Sequence, residues 1–353
     1  MIRAGLIGFG MAGRVFHAPL LASVEGLELA AVVERHTDKS ADRYPGVRVY
    51  HSLDAMLADD SLGVFVVATP NPSHYAIAKQ ILCAGKNVVV DKPLAMTSAE
   101  AAELMTLAHQ HNVLLAPFQN RRWDGDFLTV KKLLHEGALG RLVFFESRFD
   151  RWRPAPLTER VWKENADSGG TLLDLGPHLV DQALVLFGKP EAVSADLACE
   201  KDNSVVNDSI TIRLRYPGLA VTLGANSLSL PARPRYHLRG THGGYVKMGV
   251  DPQEAALGKV TRIADAGWGE EAESAWGVLH VDHHGETVRQ PVPSVRGDYR
   301  LYYAGIRDAL LGKAPAPVTG LDGWRVARLL EWAAESSETR REIACDWSQE
   351  PKL

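Results

Sequence analysis

In the first third of the chain, short runs of β-branched and other apolar residues alternate with longer amphipathic stretches, the pattern of a parallel sheet covered by helices. The apolar runs predict strands over residues 2–7, 27–33, 47–50, 64–68, 87–90 and 113–117. Between them the periodicity predicts helices over 13–23, 39–44, 53–58, 73–84 and 98–111. Ser98 is an N-cap candidate, and Gly85 stands where a helix ending at Ala84 needs a C-terminal stop. The order βαβαβ repeated is that of a doubly wound α/β sheet.

After Gln119 the texture changes. A helix is expected over 126–135 and a strand over 141–150, and the run from Gly169 to Phe187 reads as an apolar helix. Strand-like alternation then recurs over 192–199, 209–216, 220–229, 235–240 and 244–248, with turns at Tyr216-Pro217-Gly218 and Thr241-His242-Gly243-Gly244. Residues 251–286 carry no readable period and are expected to hold loops. Helices are predicted over 298–312 and 321–341. The expected fold is therefore α/β: a dinucleotide-binding Rossmann domain over 1–119, then an α+β domain over 120–353 with a mostly antiparallel open sheet. The C-terminal helix is free to pack back on the first domain.

Composition agrees with this and narrows the partners. The 353 residues are 46% hydrophobic and 23% charged, ordinary for a globular chain of about two domains. Basic residues number 39 against 43 acidic ones, so the formal net charge of -4 offers no footprint for nucleic acid or an anionic membrane. The first strand starts at Ile2, which leaves no room for a secretory signal, and no apolar run nears the ~20 residues a bilayer span needs. A cytoplasmic location is expected. Cys83, Cys199 and Cys345 are far apart and form no CxxC, excluding a disulfide framework or a cysteine zinc site.

The chemistry starts at Gly8-Phe9-Gly10-Met11-Ala12-Gly13, a G-x-G-x-x-G between a strand and a helix. Gly8 permits the tight turn, Gly10 lets backbone approach a pyrophosphate, and Gly13 packs helix on strand. Glu34 ends the second strand, where a carboxylate accepts the ribose hydroxyls of NAD, and the adjacent Arg35 instead favours the 2'-phosphate of NADP. NAD and NADP both stay open. Thr69, Pro70, Asn71 and His74 follow the fourth strand at the ligand-binding edge, where Asn71 either meets the cofactor or caps the next helix. Asp91 and Lys92 end the fifth strand beside the expected nicotinamide, with Lys92 able to orient a hydroxyl or help remove its proton. Asp174 and His178, four apart, share a helix face, and a carboxylate there raises an imidazole's basicity. Pro177 implies a kink or a helix start between them.

These motifs, in this order, resemble the glucose-fructose oxidoreductase and inositol dehydrogenase (Gfo/Idh/MocA) family over nearly the whole chain. Phe16-His17-Ala18-Pro19-Leu20, Asn120-Arg121-Arg122-Trp123-Asp124, Phe149-Asp150-Arg151-Trp152-Arg153-Pro154 and Asp181-Gln182 are similar to a branch that includes NADP-linked scyllo-inositol 2-dehydrogenases. The resemblance implies that Lys92 and His178 handle the substrate's hydroxyl proton while Asp174 supports them. Asp91 stands where the family has Glu, one methylene longer, which leaves the ion pairing behind Lys92 open. The resemblance further implies a polyol or sugar substrate between the domains and a homodimer or homotetramer built on the second-domain sheet. Asn120, Arg121, Arg122, Trp123, Asp150, Arg151 and Arg153 are expected to line the substrate side. Rival readings are a non-catalytic dinucleotide-binding regulator and a relative acting on a non-sugar carbonyl or a dihydrodiol. No metal is expected: Asp282-His283-His284 and the pair His109 and His111 lack a third ligand at useful spacing.

Overall fold

The computed structural model describes residues 1–155, 161–264 and 266–352. Six strands, β1 (Ile2–Ile7), β2 (Leu27–Val33), β3 (Arg48–Tyr50), β4 (Val64–Val67), β5 (Val88–Val90) and β6 (Leu115–Pro117), form one parallel sheet ordered β3-β2-β1-β4-β5-β6. β4 and β5 are buried along their whole length, as strands covered on both faces must be. The order reverses between β1 and β4, which opens a crevice at their carboxyl ends.

The helices of this half are α1 (Ala18–Leu21), α2 (Lys39–Arg43), α3 (Leu53–Leu57), α4 (His74–Cys83) and α5 (Ser98–His111). The expected helix over 13–23 opens as a π-turn, Gly13–His17, before continuing as α1. Pro19 has no N–H, and its ring clashes with the carbonyl four residues back in a regular helix; widening the preceding turn relieves both. Thr97, rather than Ser98, caps α5, through a reciprocal capping box with Glu100.

The second half contributes α6 (Gly125–His135), α7 (Gly170–Asp174), α8 (Gly176–Phe187), α9 (Gln253–Leu257), α10 (Arg300–Leu310) and α11 (Gly320–Thr339). Its strands are β7 (Leu142–Asp150), β8 (Ala192–Ala198), β9 (Ser209–Tyr216), β10 (Leu219–Asn226), β11 (Tyr236–Gly240), β12 (Gly243–Lys247), β13 (Gly277–His283), β14 (Glu286–Val292) and β15 (Ile343–Ala344). They form one nine-stranded sheet, antiparallel except for the pair β7 and β10. Alternate residues of β9 are buried, so one face is packed. That face carries Phe145, Leu214, Val221 and Leu238 against Leu179 of α8 and Leu329 and Trp332 of α11. The stretch expected to hold only loops contains α9 and β13, and the hairpin partner β14 follows it.

The last segments do not stay with their own sheet. Tyr299, Tyr302, Tyr303 and Ile306, at α10, are buried in the first sheet's core with Leu6, Ala18 and Phe118. α11 packs on both halves: Trp324 joins the core beside α5, while Leu329, Leu330 and Trp332 join the second sheet's core. No helix among the described residues is long and apolar enough to cross a membrane.

Candidate active site

The Gly8–Gly13 loop meets the crevice with each glycine doing a different job. Gly8 has φ +95°, and a Cβ there would lie 2.9 Å from the Ala68 carbonyl oxygen. At Gly13 a Cβ would collide with the Gly8 carbonyl, so this glycine lets the helical turn sit on the strand. A Cβ on Gly10 would touch no protein atom within 4 Å. Nothing in the fold itself demands glycine there, whereas a ligand phosphate drawn close to the backbone does. The loop thus fits a dinucleotide.

Gly10, Met11 and Ala12 line one cleft together with Thr69, Pro70, Asn71, Asp91, Lys92, Asn120, Arg121, Arg151, Asp174 and His178. Its volume is about 940 Å³, solvent mouth included. Lys92 comes from the end of β5, while Asp174 and His178 are delivered by the broken helix pair α7 and α8. The break falls at Leu175, immediately before Gly176 and Pro177, where a proline is tolerated in a first helical turn. Upstream, Gly169 and Gly170 both take positive φ, and Asn207 splints the turn. Asn207 Oδ1 accepts from Leu172 N–H at 2.7 Å, its Nδ2 donates to the Gly169 carbonyl at 3.2 Å, and its own carbonyl accepts from Thr171 N–H at 2.8 Å.

Lys92 Nζ lies 3.0 Å from Asp174 Oδ1 and also donates to the Asp174 main-chain carbonyl. Lys163 reaches the same carboxylate. Burial alone would raise the Asp174 pKa, but Lys92 and Lys163 outweigh it and hold the carboxyl well below its usual range. The ion pairing behind Lys92 is therefore supplied by Asp174. No bond joins Asp174 to His178, contrary to the expectation from their spacing. The helix break separates the two faces, and burial, reinforced by Lys92 and Arg121, pushes the imidazole well below its ordinary pKa. His178 Nδ1 is buried without a partner, and the ring lines the cleft.

Asp91 is held differently. His17 Nε2 lies 3.7 Å from Asp91 Oδ1, and His17 Nδ1 is 2.6 Å from the Tyr303 hydroxyl. Burial would raise the Asp91 carboxyl, yet His17, Lys92 and His74 bring it below the usual carboxylate range.

Several expected residues lie elsewhere. Phe9 packs edge-on against Tyr44, 6.2 Å between centroids. Glu34 is 7% exposed, and its two oxygens accept from Ser40 N–H at 2.7 Å and the Thr37 hydroxyl, so its carboxylate organises the loop into α2. Arg35 is exposed and is not part of the cleft wall. His74 is fully buried, with its ring nitrogens 2.7 Å and 2.8 Å from the carbonyl oxygens of Pro93 and Thr69; it ties the two ligand-binding loops together without reaching the cleft. Arg122 forms a two-pronged pair with Asp181 at 2.8 and 2.6 Å. Trp123 stacks edge-on against Tyr302, and Asp150 is taken by Arg148 at 3.0 Å and Arg233 at 2.7 Å. Arg153 borders an adjoining chamber.

Residues 2–118 match the model of an oxidoreductase family's NAD-binding Rossmann fold, and residues 131–345 match that family's C-terminal alpha/beta domain. The chain belongs to the Gfo/Idh/MocA oxidoreductase family. Among its relatives, Escherichia coli YdgJ, an uncharacterized oxidoreductase, is 41% identical over 96% of this chain and 97% of its own. Bacillus subtilis IolW, a scyllo-inositol 2-dehydrogenase (NADP(+)), is 34% identical over 97% of this chain and 95% of its own. The solved structure of yvaA from Bacillus subtilis superposes with a TM-score of 0.93 at 34% identity, covering 98% of this chain and 99% of that one. The chain is thus an oxidoreductase with an NAD-binding domain, with NAD and NADP both compatible.

On this Gfo/Idh/MocA scaffold the cleft also contains Phe16, Trp162, Lys163 and Glu254, which the sequence reading gave no role. Glu254 pairs with Arg121 from α9, inside the stretch without readable period. Lys163 stands in a short helical turn, Val161–Glu164, whose sequence carries no motif. Phe16 lies in a motif of the resembling branch, the one signal that pointed to it.

Proposed function

We propose that this chain is an NADP-dependent dehydrogenase that interconverts a secondary hydroxyl and a ketone on a cyclic polyol or sugar. The observation that carries the proposal is the meeting of Lys92, Asp174 and His178, from two separate segments, beside the Gly10–Ala12 loop. When bound, the nicotinamide dinucleotide supplies the hydride acceptor. Lys92, fixed by the side chain and carbonyl of Asp174, orients the reacting hydroxyl. His178, kept neutral by burial and by neighbouring cations, takes that hydroxyl's proton on Nε2 and returns it in the reverse direction. A regulator that only binds dinucleotide has no use for this arrangement.

NADP is favoured over NAD because the Glu34 carboxylate is already engaged by Thr37 and Ser40, while exposed Arg35 adjoins it. The name of IolW points the same way. Steady-state assays with inositols and aldoses and both cofactors test the reading: turnover of at least one polyol with a higher kcat/KM for NADP is expected. Turnover confined to dihydrodiols or non-sugar carbonyls would replace the substrate class, and no turnover of any kind would leave the regulator. Gly10→Val, whose Cβ meets no protein atom within 4 Å, is expected to fold normally and lose cofactor binding in a fluorescence titration. We propose also that the uncovered face of the nine-stranded sheet meets a second copy of the chain.

A further inference from the structure

Of the cations that line the cleft, Arg151 forms no ion pair among the described residues, although the charges of Glu254 and Asp174 act on it through space. Lys92 and Lys163 share Asp174, and Arg121 is held by Asp124 and Glu254. The Arg151 backbone is pinned at the end of β7, its N–H donating to the Asn226 carbonyl at 2.8 Å and its carbonyl accepting from Ser229 N–H at 3.0 Å. Its guanidinium is half-buried and makes no hydrogen bond or ion pair among the described residues. Burial, and then Arg153 two residues on, lower its pKa from the ordinary value by more than the carboxylates of Glu254 and Asp174 restore it. A guanidinium so placed is costly unless an acceptor completes it.

Its location says where that acceptor comes from. Arg151 stands between the cleft and an adjoining chamber of about 650 Å³, open side included, and both spaces share Lys163, Asp174 and Leu175 as well. The acids of the chamber are already engaged. Glu164 holds Lys201 at 2.8 Å, and the Asp208 oxygens accept the backbone N–H groups of Glu200 and Lys201 at 2.8 and 3.1 Å. Arg153, exposed at the chamber wall, likewise has no side-chain partner among the described residues. The phosphates of a dinucleotide are provided for at the Gly10–Ala12 loop and do not account for either arginine.

We infer that the substrate is an anionic polyhydroxy compound whose carboxylate or phosphate monoester, at the end remote from the reacting hydroxyl, pairs with Arg151 and points toward Arg153. This rests on the proposed oxidation of a hydroxyl between Lys92 and His178. A neutral polyol would offer hydroxyl oxygens to Arg151 but no charge, whereas an anion forms the stronger, forked pair that guanidinium geometry suits.

The test compares matched compounds with saturating NADP: glucose and myo-inositol, then glucuronate and gluconate, then glucose 6-phosphate and inositol 1-phosphate. At least one anionic compound is expected to exceed its neutral parent in kcat/KM by tenfold or more, and the class that does so distinguishes carboxylate from phosphate. In Arg151→Gln that preference should collapse to within threefold, with Arg151→Lys intermediate. Equal or better use of the neutral parents, or an unchanged preference in Arg151→Gln, overturns the inference. If no compound is turned over, the dehydrogenase reading fails separately. Calorimetric titration of the same anions into wild type and Arg151→Gln then decides the anion site: binding lost in the variant supports it, and no binding or equal binding overturns it.

Discussion

At the scale of single residues, His178 shows how placement reverses an expectation based on spacing. A carboxylate four residues away would make the imidazole more basic, but burial and the Lys92 and Arg121 charges make it less so. Its folded pKa is depressed, so the neutral form needed to accept a proton persists below the ordinary histidine value. The acid limb of kcat/KM for alcohol oxidation is accordingly expected well below pH 6.5; a limb at or above that value would remove His178 as the base. The same shift acts on stability. Below about pH 6.5 the unfolded chain binds the proton that folded His178 resists, so this group's contribution is present above that pH and is lost as pH falls toward the folded pKa. Lys92→Ala and His178→Ala should each lower kcat by about a hundredfold or more while circular dichroism stays unchanged. Lys92, Asp174 and His178 stood out in sequence through short local motifs and through the family resemblance. Lys163 and Glu254 were not, since their relation to the cleft exists only once distant segments fold together.

At the scale of elements, the segment from Gly169 to His178 is a positioning device. Two glycines with positive φ turn the chain, Asn207 ties the turn to the second sheet, and the break at Leu175 lets Asp174 face Lys92. Asn207→Ala removes the acceptor of the Leu172 N–H and the donor to the Gly169 carbonyl. An expected cost is about 1–3 kcal/mol, read as a Tm lower by a few degrees, together with a kcat loss from displacement of Asp174. An unchanged Tm and kcat would show that the splint is dispensable. Helices and strands with strong period were readable from sequence, as were the glycine stops. β13 and β14 carry no readable period because an edge hairpin has little buried surface to enforce alternation, and β14 is exposed over most of its length.

At the scale of the whole molecule, one sheet face is left uncovered by the described residues. Cross-strand register places Arg215, Ala220, Phe144 and Arg239 in one row, opposite in sense to the buried row of Leu214, Val221, Phe145 and Leu238. Phe144 lies 5.6 Å from the His237 ring, beneath the Arg239 guanidinium. Multi-angle light scattering is expected to give at least a dimer mass, and Phe144→Glu, by adding a charge to this surface, should shift it toward monomer. A wild-type monomer would dismiss the self-association proposal.

The sequence by itself determined the parallel sheet, the periodic strands of the second sheet and the dinucleotide loop, because each depends on contacts within a few residues or on strict periodicity, and it marked Lys92, Asp174 and His178 as candidates through short motifs and the family resemblance. Tertiary structure alone decided which charges meet. Asp174 went to Lys92 and Lys163 rather than to His178, Glu34 turned into its own loop, and Arg151 came to the cleft with no ion pair among the described residues. Ion pairing in a buried site is settled by distance and desolvation, and neither is encoded in spacing along the chain.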